Sequence, residues 1–402
     1  MNKIKIPVNE TLLKGNEKKY LNKCIDDNFI SSSGPFVKSF EKKFAKKVKR
    51  KYAVAVSNGT AAIQIAFECL NLKKKDEVIL PSFTIISCIL PIIRSGAIPI
   101  LIDSDPVTWN MDVTKIEKKI TKKTKAIMLI NVLGISSDLF KIKRIANKNK
   151  LIVIEDNCES LGSRLKNKYL GTFGDYGSYS FYYSHQITSG EGGMVTCSKK
   201  EDYDILFALR SHGWLGGTRH YKRSLISYNH YARQNPQLDP RYIFINSGFN
   251  LRPTDIQAAI AHNQFNRLDH LKKFRNLNRN LLIKKITESK KWNNQFKFIA
   301  VPKNIDPSWM GLPILISERF KERKKRFINY LDKIGIETRP IISGNFANQP
   351  AAKLYELCKK NEKFENSQKV QELGFLIGLH TKKISKSNLK LIHDAFFMID
   401  QI

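Results

Sequence analysis

The 402-residue chain contains no run of about 18 apolar residues, which leaves no segment able to span a membrane as a helix. Its opening, MNKIKIPVNE, lacks the apolar core that drives export, so a cytoplasmic protein is expected. Cysteine is scarce and scattered. Cys24, Cys69, Cys88, Cys158, Cys197 and Cys358 form no CxxC pair and no ligand-like spacing. That argues against a disulfide framework or a metal site and for free thiols in a reducing compartment. Internal repeats and low-complexity linkers are also missing. Acidic residues are few, 36 against 69 basic ones, leaving a net charge of +33. The lysines are spread in short groups such as KKKD and KERKK rather than gathered in one block. Lys, Asn and Ile are used almost everywhere, so the charge reads as compositional drift, with some attraction for small anions, and no nucleic-acid partner is expected.

What is present is an ordinary globular composition, 42% apolar and 26% charged, in a chain longer than one core usually organises. From about residue 50 to 200, short apolar runs alternate with helical patterns. YAVAVS, DEVIL, AIPILID, AIMLIN and LIVIED read as strands. NGTAAIQIAFECL, TIISCILPIIRSG, DVTKIEKKI and LFKIKRIANKN read as turn-and-helix segments. Near-continuous apolar strands imply a sheet covered on both faces, and the alternation implies mostly parallel strands with crossover helices. After residue 250 the pattern changes. One long helical stretch is expected from Thr254, an N-cap-like residue with Asp255 in the first turn. RFKERKKRFINYLDKIG and KSNLKLIHDAFFMI follow among mixed segments. The expected division is a large α/β domain with an N-terminal arm over residues 1–265 and a small α+β domain over 266–402.

In such sheets ligands sit beyond the carboxyl ends of the strands. Four stretches there carry suggestive residues. In SNGTAA, Gly59 permits close backbone approach and Thr60 offers a hydroxyl at a helix start, a ready anion site, although an ordinary βα turn reads the same way. In LIVIEDNCESLGS, Asp156 ends a strand and Glu159 follows. Such a carboxylate can cap a helix, or hold a cationic ring nitrogen as the acidic partner of pyridoxal phosphate does. In YSFYYSHQITSGEGGMVTCSKK a single histidine, His185, stands at the mouth of a glycine-rich turn. In INSGFNLRPTDIQAA, Asn250 and Arg252 precede the long helix.

In this order the stretches resemble the DegT/DnrJ/EryC1/StrS group of sugar aminotransferases, fold-type-I pyridoxal-phosphate enzymes. The likeness runs from FISSSGPFVKSFEKKFA and YAVAVSNGTAA through VILPSFT, IPILIDSDPVTWNMD and VIEDNCESLG to GFNLRPTDIQAAI and ETRPIISGN. It implies the fold-type-I architecture, a homodimer with active sites at the subunit interface, and Gly59, Thr60 and Ser184 around the cofactor phosphate, with Asn250 reaching in from the partner. It also implies Asp156 on the ring nitrogen and Glu159 near the phenolic oxygen. The family stacks an aromatic on the ring one residue after the Thr of its P-x-x-T segment; here PSFTII puts Ile85 there and Phe83 two residues earlier.

The aminotransferases carry the cofactor-binding lysine where this chain has His185. Imidazole cannot form that covalent link, so the cofactor is expected to be held non-covalently, with imidazole as the base. HQITSGEGGM and RPIISGNFANQPA resemble the histidine-bearing subgroup of nucleotide-sugar 3-dehydratases, and the acidic Glu159 fits it. By that likeness Arg339 and Asn345 contact substrate, whereas Asn348 stands where the subgroup has arginine. The subgroup implies pyridoxal and pyridoxamine phosphate, L-glutamate as amino donor and a 4-keto-6-deoxy nucleotide sugar, GDP-linked by preference. An iron–sulfur cluster needs several thiolates, and no cysteine lies between Ser198 and Asn250, so none is expected. An aminotransferase-like protein with altered or lost activity is the alternative. His380 is a weaker substrate-contact candidate, and His212 reads as structural.

Overall fold

The computed structural model describes residues 4–32, 34–214, 226–239, 242–358 and 362–402, and the side chains of 226–229 are outside that description. Ser33, in the first of the family-like stretches, lies outside the described residues.

Seven strands form the main sheet: β1 Tyr52–Val56, β2 Glu77–Pro81, β3 Ile98–Ile102, β4 Thr124–Ile130, β5 Ile152–Asp156, β6 Tyr176–Ser180 and β7 Gly193–Cys197. Their order is β1-β7-β6-β5-β4-β2-β3, and β7 alone runs against its neighbours. Helices α1 Glu17–Asp26, α2 Pro35–Val48, α3 Gly59–Glu68, α4 Ile86–Arg94, α5 Leu139–Lys148, α6 Lys200–Leu209, α7 Asp255–Asn266 and α8 Leu268–Thr287 pack around it. The strand period of two divides the side chains. Val54 and Val56 join the core under α3, while Ala53 and Ala55 face Phe40 and Phe44 of α2. Likewise Val78 and Leu80 go to one face and Ile79 to the other, with Ile142 and Ile145 of α5.

Two helical expectations change. DVTKIEKKI is two short 3-10 turns, Val113–Lys115 and Glu117–Lys119, not a helix. Asp112 caps the first turn, and of the nine residues only Ile116 is fully buried, too narrow an apolar face to anchor a longer helix. The long stretch from Thr254 is two helices, α7 and α8, meeting at Arg267, whose guanidinium turns back to the Leu12 carbonyl at 2.8 Å. Thr254 does cap α7, in a reciprocal capping box with Gln257.

Beyond α8 lies a second, antiparallel sheet of β8 Phe296–Phe298, β9 Gly311–Ile316, β10 Thr338–Arg339 and β11 Gly374–Gly378, in the order β8-β9-β11-β10. The N-terminal arm docks on this part: the N–H groups of Lys5 and Ile6 share the Gly335 carbonyl, and Glu337 donates to the Ile6 carbonyl. Among the described residues, no helix is long and apolar enough to cross a membrane.

Candidate active site

The carboxyl ends of β1, β2, β4, β5 and β6 converge on one cavity of about 810 Å³, bordered on the other side by Arg339, the last residue of β10, and by Pro340 and Ile342 just after it. On the β1 side, Asn58 caps α3 by accepting the Ala61 N–H at 2.8 Å, so the positive end of the helix borders the cavity. A Cβ at Gly59 would sit 2.7 Å from the Ser180 side chain and 2.9 Å from the Cys158 sulfur; only glycine fits. Thr60 Oγ1 is 2.9 Å from Ser87 Oγ.

Asp156, at the end of β5, is fixed from three directions. Its Oδ1 accepts the Cys158 N–H at 2.9 Å and the Ser178 hydroxyl at 3.4 Å, and its Oδ2 accepts the Cys88 thiol at 3.2 Å. Glu159, one turn on, accepts the Leu133 N–H at 3.1 Å. Burial pushes its carboxyl up to about 7; the Leu133 bond opposes this and the Asp156 charge adds to it. Leu133 presents that N–H from a left-handed conformation, φ 59°, strain of the kind that persists where surrounding structure over-determines it.

His185 lies past the end of β6, its N–H donating to the Tyr182 carbonyl at 3.0 Å and its ring edge-on to Tyr182. The ring is half-buried, with Nδ1 shielded from solvent. Burial pushes its pKa down to about 4, leaving a neutral imidazole at neutral pH. The glycine turn lets β7 come close: a Cβ at Gly193 would fall 2.2 Å from the Asn58 carbonyl, and at Gly190 φ is +80°. The turn therefore seats the His185 loop against the cap of α3.

The cavity thus gathers Gly59, Thr60, Ile85, Asp156, Glu159, Ser184, His185 and Arg339 from the sequence reading. Phe83 is fully buried away from it, and Ile85 lines it. Asn345 lies outside. Its side chain caps a short turn at Ala347 and donates to Gln368 at 3.2 Å. Asn348 likewise donates to Gln368 and Gln371. Asn250 does not line its own chain's cavity, although Phe249 and Leu251 do; it accepts from Arg252 at 3.1 Å. His380 pairs with Glu10 at 3.2 Å outside the cavity, and the His212 N–H donates to the Phe249 carbonyl.

Sequence reasoning missed the arm. Asn9 lines the cavity and, with its amide oriented to satisfy both neighbours, donates to the Ser184 carbonyl at 3.1 Å and accepts from Arg339 at 3.3 Å. No periodic pattern marks a short polar segment, so nothing local pointed to it. Arg94, at the end of α4, was also missed. The residues present fit a pyridoxal-phosphate-type group: a helix start and small side chains for a phosphate, a glycine where a side chain would intrude, and a fixed carboxylate for a ring nitrogen.

A profile described as the DegT/DnrJ/EryC1/StrS aminotransferase family matches residues 12–396. The chain is 37% identical over 336 residues to GDP-perosamine synthase of Escherichia coli O157:H7, covering 84% of each. It is 31% identical over 394 residues to GDP-4-keto-6-deoxy-D-mannose 3-dehydratase of Yersinia pseudotuberculosis, covering 95% of this chain and 96% of that one. The E. coli GDP-4-keto-6-deoxy-D-mannose-3-dehydratase, solved with bound hydrated PLP, superposes with a TM-score of 0.86 at 27% identity, over 98% of this chain and all of that one.

Proposed function

The chain belongs to the DegT/DnrJ/EryC1/StrS aminotransferase family, and within it we propose a 3-dehydratase that removes the C3 hydroxyl of a nucleotide-linked 4-keto-6-deoxyhexose, with L-glutamate as amino donor. One observation carries this reading: His185 lines the cavity, and no lysine lines it among the described residues. Family aminotransferases use a lysine at that position.

When bound, pyridoxal or pyridoxamine phosphate supplies an electron sink for a C–H bond that breaks beside it. The residues of this chain do the rest. The start of α3, Thr60 and Ser184 hold the phosphate without a covalent link to the protein. Asp156 accepts from the protonated ring nitrogen and keeps it protonated. Glu159 serves the phenolic oxygen, and Ile85 covers a ring face with aliphatic contact. His185 takes a proton from the cofactor's C4′ carbon and returns it to the departing C3 hydroxyl. Having no amine, it cannot recapture the cofactor. Oxidation of glutamate to 2-oxoglutarate balances the reduction at C3, and the products are a 4-keto-3,6-dideoxy sugar and ammonia. Arg339 and Asn345 serve substrate, with Asn345 acting through the loop it caps. GDP is the nucleotide most in keeping with the relatives' names. The chemistry here needs no iron–sulfur cluster. Residues 1–265 form the cofactor-binding unit and 266–402 the small domain, in a homodimer in which Asn250 serves the partner's site.

The identity to GDP-perosamine synthase favours a second reading, an aminotransferase with an altered base. One incubation separates the two: protein, pyridoxal phosphate, L-glutamate and GDP-4-keto-6-deoxymannose, followed by mass spectrometry and an ammonia assay. Loss of the C3 hydroxyl with one ammonia per sugar supports the dehydratase. An aminated sugar without ammonia overturns it.

A further inference from the structure

Next to the main cavity, sharing Asn9 and His185 with it, lies a recess of about 10 Å³, the room of one water. Four residues around it matter: His185, Gln186, Arg275 and Glu10. Arg275, on α8, is 5% exposed, and its Nη1 donates to the Gln186 carbonyl at 2.9 Å, clamping the residue next to the base. Three buried side-chain atoms of this group have no protein partner: His185 Nδ1, Arg275 Nε and Gln186 Oε1. Buried polar atoms are rarely left so, and a single water in the recess would offer all three residues a partner. Glu10 is held below the usual carboxylate range: burial raises it, but hydrogen bonds from Thr381 and His380 outweigh that, so it is ionised at neutral pH.

We propose that this recess is a water site that fixes the tautomer of His185, with Arg275 and Glu10 as positioning residues. This rests on the reading of His185 as the base. The hydrogen-bond inventory decides the direction. Arg275 Nε can only donate and occupies one lone pair of the water. Gln186 Oε1 and the ionised Glu10 can only accept and take its two O–H groups. One lone pair remains, and His185 Nδ1 can meet it only as N–H. The proton is then on Nδ1, and Nε2 keeps its lone pair, as a base requires. With Glu10 unable to accept, the water can turn and donate to Nδ1; without Arg275 the water loses an anchor, and Nδ1 loses the partner that holds its proton, so in either case the proton moves to Nε2 and the base is disarmed.

The test uses the full chain without cofactor, labelled with ¹⁵N-histidine, at pH 7.5. Long-range ¹H–¹⁵N correlation reads each imidazole tautomer, and His185→Asn identifies the His185 signals. The wild type should show Nδ1–H. Arg275→Met should shift His185 towards Nε2–H and lower kcat by about tenfold or more with little change in KM, and Arg275→Lys should restore much of both. Glu10→Gln, whose amide can donate, should act in the same direction and serves if Arg275→Met does not fold. A wild-type Nε2–H tautomer, or an unchanged tautomer and kcat in both variants, overturns the proposal. Full turnover in His185→Asn would instead sink the base assignment while leaving the tautomer result intact.

Discussion

His185 and Glu159 are shifted in opposite directions by one cause, burial that disfavours charge: the imidazole falls to about 4 and the carboxyl rises to about 7. At pH 7 the imidazole is therefore a free base. Its replacement in His185→Asn should lower turnover by ~10²–10⁴-fold, while pyridoxal phosphate binding, followed by absorbance, stays within a few-fold of wild type. Near-normal turnover would remove the role. For Glu159 the sign follows from linkage. Its folded pKa lies above its unfolded value, so its contribution to stability is complete below about 4.5 and is lost as pH rises through about 7. Glu159→Gln, which keeps an acceptor for the Leu133 N–H, should make the cofactor-free protein more stable than wild type at pH 8, by up to ~3 kcal/mol, and no more stable at pH 4. Urea denaturation at the two pH values reads this directly. His185 acts the other way on stability: the unfolded chain takes up a proton between about 6.5 and 4 that the folded chain refuses, so stability is lost as pH drops through that window.

At the scale of elements, the start of α3 is where local chemistry and packing meet. Its cap, its glycine and the glycine that opens β7 crowd together closely enough that a methyl at position 59 must push on the Ser180 and Cys158 side chains. Gly59→Ala should cost ~1–3 kcal/mol in thermal or chemical denaturation and weaken cofactor binding more than it lowers stability, because the same displacement disturbs the anion site. A variant with unaltered cofactor affinity would separate this helix start from phosphate binding. The strands were readable because each is a short apolar run with β-branched residues between turn residues. DVTKIEKKI was misread because charged residues dominate its pattern, and the break at Arg267 because it depends on the Leu12 carbonyl, 255 positions away in the chain.

At the scale of the whole molecule, the cavity mouth is flanked by exposed Ile85, Ile86, Tyr182 and Tyr183, each more than a third accessible in the single chain. A second copy seated there would cover these side chains and bring Asn250 to the neighbouring site. Light scattering should give twice 46.2 kDa at physiological salt, with dissociation favoured at low ionic strength, where a charge of +33 on each chain is least screened. A monomer with full activity would refute the shared site.

The amino-acid sequence by itself determined the parallel sheet, the strand-end carboxylate Asp156, the glycine turn and the histidine where a lysine is expected. These are local patterns, and each is written within a few consecutive residues. The tertiary structure alone decided that Asn9 bridges Ser184 and Arg339, that Ile85 rather than Phe83 lines the cavity, that Asn345 serves a loop, and that Arg275 holds the Gln186 carbonyl next to His185. Those facts depend on contacts between segments tens to hundreds of residues apart. They are set by how the arm, α8 and the second sheet pack on the first, which no local periodicity encodes.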